Sequence, residues 1–422
     1  MNEHAFVLAA NETSDFVAAF AIKPAWQGLV LSTERSATAG SGGGGIRSRT
    51  PGGCPLARSG GLRLRSLAVT IMALLAPLGL LASWSCEAAD GPMSSSSLAI
   101  ATRSLAPGQA EPIHSFAEGE NPEGIAIDRQ GHLYVSLRGV LAGGVRSSSV
   151  VKIDPQEGTL EVLVTLDEDV PLGLEGALGV VVDSKGDVYV ALVSGDPTTH
   201  GVWRIDPDGS AMRLPGSETI AFPNALTFDA RGNLYVTNTV LGEVWRFPNG
   251  EGPGEVWIQD PALADPGNPL LPAPIGANGI AFAPPRTLYV ANTEGALLAE
   301  IPIEPDGSPG ALRVVAQGFD LLTIDGIAVD VNGDVYAVIA GAQVLGNDPL
   351  VRIDPGTGEV VSLTNELAAF DTPTSLAFGT GGKTDRKSVY VVNAALRGGL
   401  IPQGSGPGIV QVGVGEPGLQ GH

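Results

Sequence analysis

Asp229-Ala230-Arg231-Gly232-Asn233-Leu234-Tyr235-Val236-Thr237-Asn238 joins a four-residue turn to a β-branched, aromatic strand, and its second half is a phrase that recurs along the chain. The copies are GHLYVSL around Tyr134, GDVYVAL around Tyr189, GNLYVTN around Tyr235, RTLYVAN around Tyr289, GDVYAVI around Tyr336 and KSVYVVN around Tyr390, which accounts for all 6 tyrosines. By difference of position they stand 55, 46, 54, 47 and 54 residues apart. A period near 40–50 residues with several short strands per copy marks the blades of a propeller. Six copies predict an all-β, six-bladed β-propeller with four antiparallel strands per blade.

The third copy gives the blade in full. Ala225–Phe228 reads as an inner strand, a, and Asp229–Gly232 as a turn in which Asp bonds its own backbone and Gly takes positive φ. Strand b follows at Leu234–Asn238, strand c at Glu243–Phe247 and strand d at Glu255–Ile258, after a Pro248-Asn249-Gly250 turn. Ile-Asp-Pro turns recur at Asp154, Asp206 and Asp354, with Glu304 as a variant, and these acidic turn residues read as structural. The last copy ends at strand c, Ile409–Val412. Its missing strand is expected from Ile113–Phe116, which would leave the ring no open edge. Five extra residues near Lys383–Lys387 lengthen the sixth a-to-b turn.

The rest of the chain divides as 1–60, a disordered leader or a stretch ahead of the true start; 61–89, a signal peptide; 90–110, a linker; 111–415, the propeller; and 416–422, a tail. The signal reading rests on Arg58, Arg63 and Arg65 before an apolar run from Leu67 to Ala82 and a small-residue ending at Ala88-Ala89. The run is too short and too Pro/Gly-broken for a membrane span. Cleavage there removes both cysteines, Cys54 and Cys86, and leaves 17 basic against 40 acidic residues. The whole chain carries a formal net charge of −21, which argues against nucleic acid and anionic membrane surfaces. The expected protein is secreted or periplasmic, monomeric and free of the membrane after cleavage.

Counting back eleven positions from each tyrosine reaches one slot at the start of strand a, at a mouth of the central channel. It holds Glu123, Leu178, Asn224, Asn278 and Asp325 and, allowing for the insertion, Thr374. Two carboxylates and two amides in one register facing one axis suit a hard cation, because Ca²⁺ takes six to eight oxygens from such groups and water. Neither a Gly-x-Ser-x-Gly elbow nor a His-Glu-x-x-His helix competes. His200 in the second b-to-c loop is a lesser candidate to overhang the site, and His132 reads as structural.

Glu123, Asn278 and Asp325 resemble the three metal-ligand positions of the gluconolactonase/regucalcin family of six-bladed propellers, which is distantly similar to the paraoxonases. Asn278-Gly279-Ile280-Ala281-Phe282 leading to Leu288–Asn292 is the nearest stretch, and Ile324-Asp325-Gly326-Ile327 resembles a second; Asn224 matches an additional Asn beside the metal. The resemblance implies a calcium-dependent hydrolase acting on a small-molecule lactone or ester. Asp325 would be ligand and catalytic base, Glu123 the anchor, and Asn224 and Asn278 the completing ligands. The alternative is a non-catalytic propeller of the NHL type, a protein- or saccharide-binding platform with at most a structural calcium.

Overall fold

The computed structural model describes residues 103–139, 141–142, 145–169, 176–267, 274–364, 366–396 and 404–419. The leader, the signal segment and most of the linker lie outside them. Among the described residues the chain forms six antiparallel sheets arranged as blades, with one short α-helix, Ala342–Leu345. No described helix is long and apolar enough to cross a membrane.

The inner strands are Pro122–Ile127, Gly176–Val182, Pro223–Phe228, Ala277–Ala283, Ile324–Val329 and Pro373–Phe378. Each pairs with a strand b that carries the repeated tyrosine. In the third blade, strands b and c fall where the sequence puts them, at Leu234–Asn238 and Glu243–Phe247. The sixth blade is closed as expected: Ala110–Ser115 pairs antiparallel with Gly408–Gly413, Ala110 opposite Val412 and Ser115 opposite Gly408. The outermost strand therefore comes from one end of the propeller and the neighbouring strand c from the other.

The six tyrosines are packing residues. Tyr189 meets Phe228 and Tyr336 meets Phe378 edge-on, at 5.0 and 4.9 Å between ring centres, and each pair joins one blade to the next. The hydroxyls reach the a-to-b turns: Tyr134 donates to Asp128 Oδ2 at 3.2 Å and Tyr235 to Asp229 Oδ2 at 3.3 Å. The same aspartates hold the turns, since Asp229 Oδ1 accepts the N–H groups of Arg231 at 2.8 Å and Asn233 at 2.9 Å. Asp128, Asp183 and Asp330 repeat that pattern. The turn carboxylates are structural, as read.

The insertion in the sixth blade fastens the ring on this turn face. Lys383 Nζ lies 2.5 Å from Asp154 Oδ2 in the first blade, and Thr380 Oγ1 donates to Asp128 O at 2.6 Å. The segment beyond Gly415 also packs on the ring: Asp330 bridges to Gly418, and Leu419 N–H donates to Val329 O at 3.0 Å.

Candidate metal centre at the channel mouth

Every inner strand is interrupted at the slot. Pro122 pairs with Leu137, the ladder lapses, and pairing resumes at Ile125 with Val135; the same break falls between Ala177 and Val180, Pro223 and Leu226, Ala277 and Ile280, Ile324 and Ile327, and Pro373 and Ser375. A bulge leaves one residue out of the ladder and re-aims its side chain. Glu123, Asn224, Asn278, Asp325 and Thr374 are each the second residue of their strand, so the slot lies inside strand a rather than just ahead of it. The bulge, hidden from a count of strand propensity, is what presents these side chains.

The residue after the slot is where neighbouring blades touch. A Cβ on Gly279 would stand 2.2 Å from Asp325 O, and one on Gly326 would stand 2.7 Å from Ser375 Cα. Only glycine permits that approach. Hydroxyls of strands a and b supply the ties between blades. Thr237 Oγ1 donates to Asn278 O at 2.8 Å, Thr374 Oγ1 donates to Glu123 O at 2.9 Å, and Ser136 Oγ donates to Leu178 O.

A second ring stands behind the first, four residues after each tyrosine: Arg138, Val193, Thr239, Thr293, Ala340 and Ala394. In the first, third, fourth, fifth and sixth blades its N–H donates to the carbonyl two residues before the slot, as Arg138 to Asn121, Thr239 to Phe222, Thr293 to Gly276, Ala340 to Thr323 and Ala394 to Thr372. Its side chains reach the slot as well. Asn224 Nδ2 donates to Thr239 Oγ1 at 3.1 Å, and Asn278 Nδ2 to Thr293 Oγ1 at 3.0 Å. Each threonine in turn donates to the next blade, Thr239 to Ala277 O and Thr293 to Ile324 O, both at 2.7 Å. Both amides are buried, 6% and 5% exposed.

The two carboxylates are enclosed by the blades and keep partial exposure. Burial pushes the Glu123 carboxyl up to about 7, against the opposing pull of the Arg138 guanidinium. Burial also raises Asp325 well above the usual carboxylate range; the negative charge of Glu123 adds to this, and a hydrogen bond from Asn278 opposes it. The structure thus brings Glu123 and Asp325 into electrical contact and sets Asn278 beside Asp325. Thr323, two residues before Asp325, holds φ at 68° with its Oγ1 accepting the Gly341 N–H at 2.8 Å. Asn121 and Thr372 take the same left-handed conformation, at 47° and 51°, two residues before Glu123 and Thr374, so it belongs to the entry of the inner strand.

Among the described residues no group of three or more His, Cys, Asp or Glu converges to hold a metal. The slot offers two carboxylates and two amides instead, an all-oxygen set that fits a hard divalent cation. A desolvated carboxylate pair needs a positive charge to stay ionised, and the upward shifts of Glu123 and Asp325 register that need.

His200 does not overhang the site. It is 9% exposed, its Nδ1 accepts the Ser194 N–H at 3.1 Å, and its Nε2 donates to Ile220 O at 2.7 Å, so it clamps two loops as a neutral ring. Arg138, Thr239 and Thr293 were missed in the sequence, although the tyrosine ruler that found the slot finds them too when counted forward by four.

Fold and slot together define a six-bladed propeller with a polar ring at one channel mouth. A sequence model of the SMP-30/gluconolactonase/LRE-like region matches residues 270–395, which include Asn278 and Asp325, so the resemblance drawn from the sequence is borne out over that stretch. A search of curated proteins finds no match. Among solved structures, a luciferin-regenerating enzyme is similar over 75% of this chain and 98% of its own, at 16% identity and a TM-score of 0.52. Regucalcin from Agrobacterium tumefaciens, a calcium-binding protein, is similar over 74% of this chain and 93% of its own, at 16% identity and a TM-score of 0.50. At such identities the likeness is one of fold.

Proposed function

We propose that this protein is a calcium-dependent hydrolase of lactones or related esters. One observation carries the reading: two carboxylates raised above their usual range, Glu123 and Asp325, share a channel mouth with two buried amides, Asn224 and Asn278, all four at the same bulge of the inner strands of the first, third, fourth and fifth blades. The family match, and the calcium named for the regucalcin of like fold, support it.

In this reading Glu123 anchors the cation, and Asn224, Asn278 and Asp325 complete its protein donors. Bound there, the cation would supply Lewis acidity toward the substrate carbonyl. Asp325 accepts the proton of the attacking water; in the cation-free chain its burial and the charge of Glu123 raise its carboxyl well above the usual range. The second ring opposite Asp325 in its own blade is Ala340, which leaves that carboxylate no hydroxyl partner of the kind Asn224 and Asn278 have. The protein works as a monomer on a small molecule, in the periplasm or outside the cell.

The test is turnover of a panel of lactones and aryl esters by the full chain, with calcium, with chelator, and in D325N. Chelation should abolish turnover and calcium restore it, and D325N should lower kcat by about 10²–10⁴-fold. Turnover indifferent to both would overturn the proposal. Calcium binding without turnover of any ester would favour the non-catalytic platform.

A further inference from the structure

The hydrogen bonds of Thr239 and Thr293 assign a direction to the ring. A hydroxyl has one proton to give. Thr239 Oγ1 stands 2.7 Å from Ala277 O and Thr293 Oγ1 stands 2.7 Å from Ile324 O, and a carbonyl oxygen can only accept. At that separation the threonine proton must lie between the two oxygens. Each hydroxyl then has only lone pairs to offer its asparagine, and must receive an N–H. The amide nitrogens of Asn224 and Asn278 are thereby held on the threonine side, the second N–H of Asn278 being directed to Asp325, and the Oδ1 atoms are turned away from the threonines.

We infer that Thr239 and Thr293 are positioning residues that fix the oxygen face of Asn224 and Asn278 toward the cation of the proposed site; the inference rests on that reading. Without them an amide in the slot could present nitrogen as readily as oxygen, and an N–H₂ group repels a cation. The same two hydroxyls also set spacing. The carbonyl that Thr239 holds belongs to Ala277, the neighbour of Asn278, and the carbonyl that Thr293 holds belongs to Ile324, the neighbour of Asp325. Hydrogen bonds and peptide links therefore run unbroken from Asn224 through Thr239, Asn278 and Thr293 to Asp325, tying three of the four donors into one unit.

Calcium titration of the full chain by calorimetry, with thermal melts in chelator, separates this role from a plain stabilising one. Loss of partners behind metal ligands weakens binding by about 10–100-fold. T239V and T293V should each show a loss of that size, and T239S and T293S, which keep both bonds, should bind as wild type does. The melts report any loss of fold apart from loss of metal. A double-mutant cycle adds the discriminating readout. In an N278D background both side-chain oxygens are donors, no face needs choosing, and T293V should cost little more. Wild-type affinity in T239V and T293V, or an equal T293V penalty with Asn or Asp at 278, would overturn the positioning role while calcium binding itself stood. A wild-type chain that binds no calcium would overturn the proposed site and this inference together.

Discussion

Asp325 and Asp330 stand at the two ends of one inner strand, Ile324–Val329, and chemically they are opposites. Asp330 closes a turn. It is fully buried, its Oδ1 accepts the Asn332 and Asp334 N–H groups at 2.8 and 3.0 Å, and Tyr336 donates to its Oδ2 at 3.4 Å. Asp325 sits on the bulge at the other mouth, where burial and the charge of Glu123 raise its carboxyl far above the usual range. The first blade repeats the contrast. Burial would push Asp128 up, yet hydrogen bonds from His132 and Gln130 outweigh it and hold Asp128 low, whereas Glu123 at the far end is pushed up to about 7. One face of the propeller uses its acids to finish its own backbone. The other leaves them in need of an external charge. Residue type does not separate the two roles; the count of N–H donors aimed at each carboxylate does.

The largest expected break in the symmetry is catalytic. D330N should leave calcium-dependent turnover within a few-fold of wild type, whereas D325N removes the base and the loss should reach about 10²–10⁴-fold; steady-state kinetics on the two variants checks both. Next comes pH. Glu123 in the folded chain is raised from its ordinary 4.5 to about 7, and Asp325 is raised with it. For carboxyls raised by folding, the stabilisation is full below the ordinary range and is lost as pH climbs through the folded value. The calcium-free protein should therefore melt lower at pH 8 than at pH 5, and saturating calcium should flatten that decline. Calcium affinity should run the other way, falling as pH drops below about 7 because protons compete for the raised carboxyls.

A smaller effect belongs to the turn face. D229A strips the acceptor from the Arg231 and Asn233 N–H groups and from the Tyr235 hydroxyl, and should cost about 1–3 kcal/mol in a denaturant melt with calcium affinity unchanged. Smallest is K383A. It should lower the melting temperature by less than D229A does, since Lys383 only fastens the sixth blade to Asp154 across the ring closure.

The repeat was legible because six tyrosines share one slot, and strand closure because a blade lacking its last strand sits in the same chain as a spare strand. The ring of Glu123, Asn224, Asn278 and Asp325 was legible as a column, since counting from the tyrosine needs no coordinates. Three things were not. The bulge that presents the column is a lapse in pairing between two strands, and no single strand's composition encodes it. The roles of Thr239 and Thr293 depend on carbonyls thirty to forty residues away in the next blade. The fate of His200 was set by Ile220 O, which only the folded loops bring to it. Local pattern carried the architecture, and contacts between blades decided the chemistry.

The most direct test of the central claim, that the slot carboxylates and not the turn aspartates form the cation site, is a calorimetric calcium titration at pH 8. The full chain would be compared with its E123Q/D325N double variant and with D229N. The account predicts one site in wild type and in D229N, and none in the double variant. Undiminished calcium binding in E123Q/D325N, with the fold intact, would contradict it.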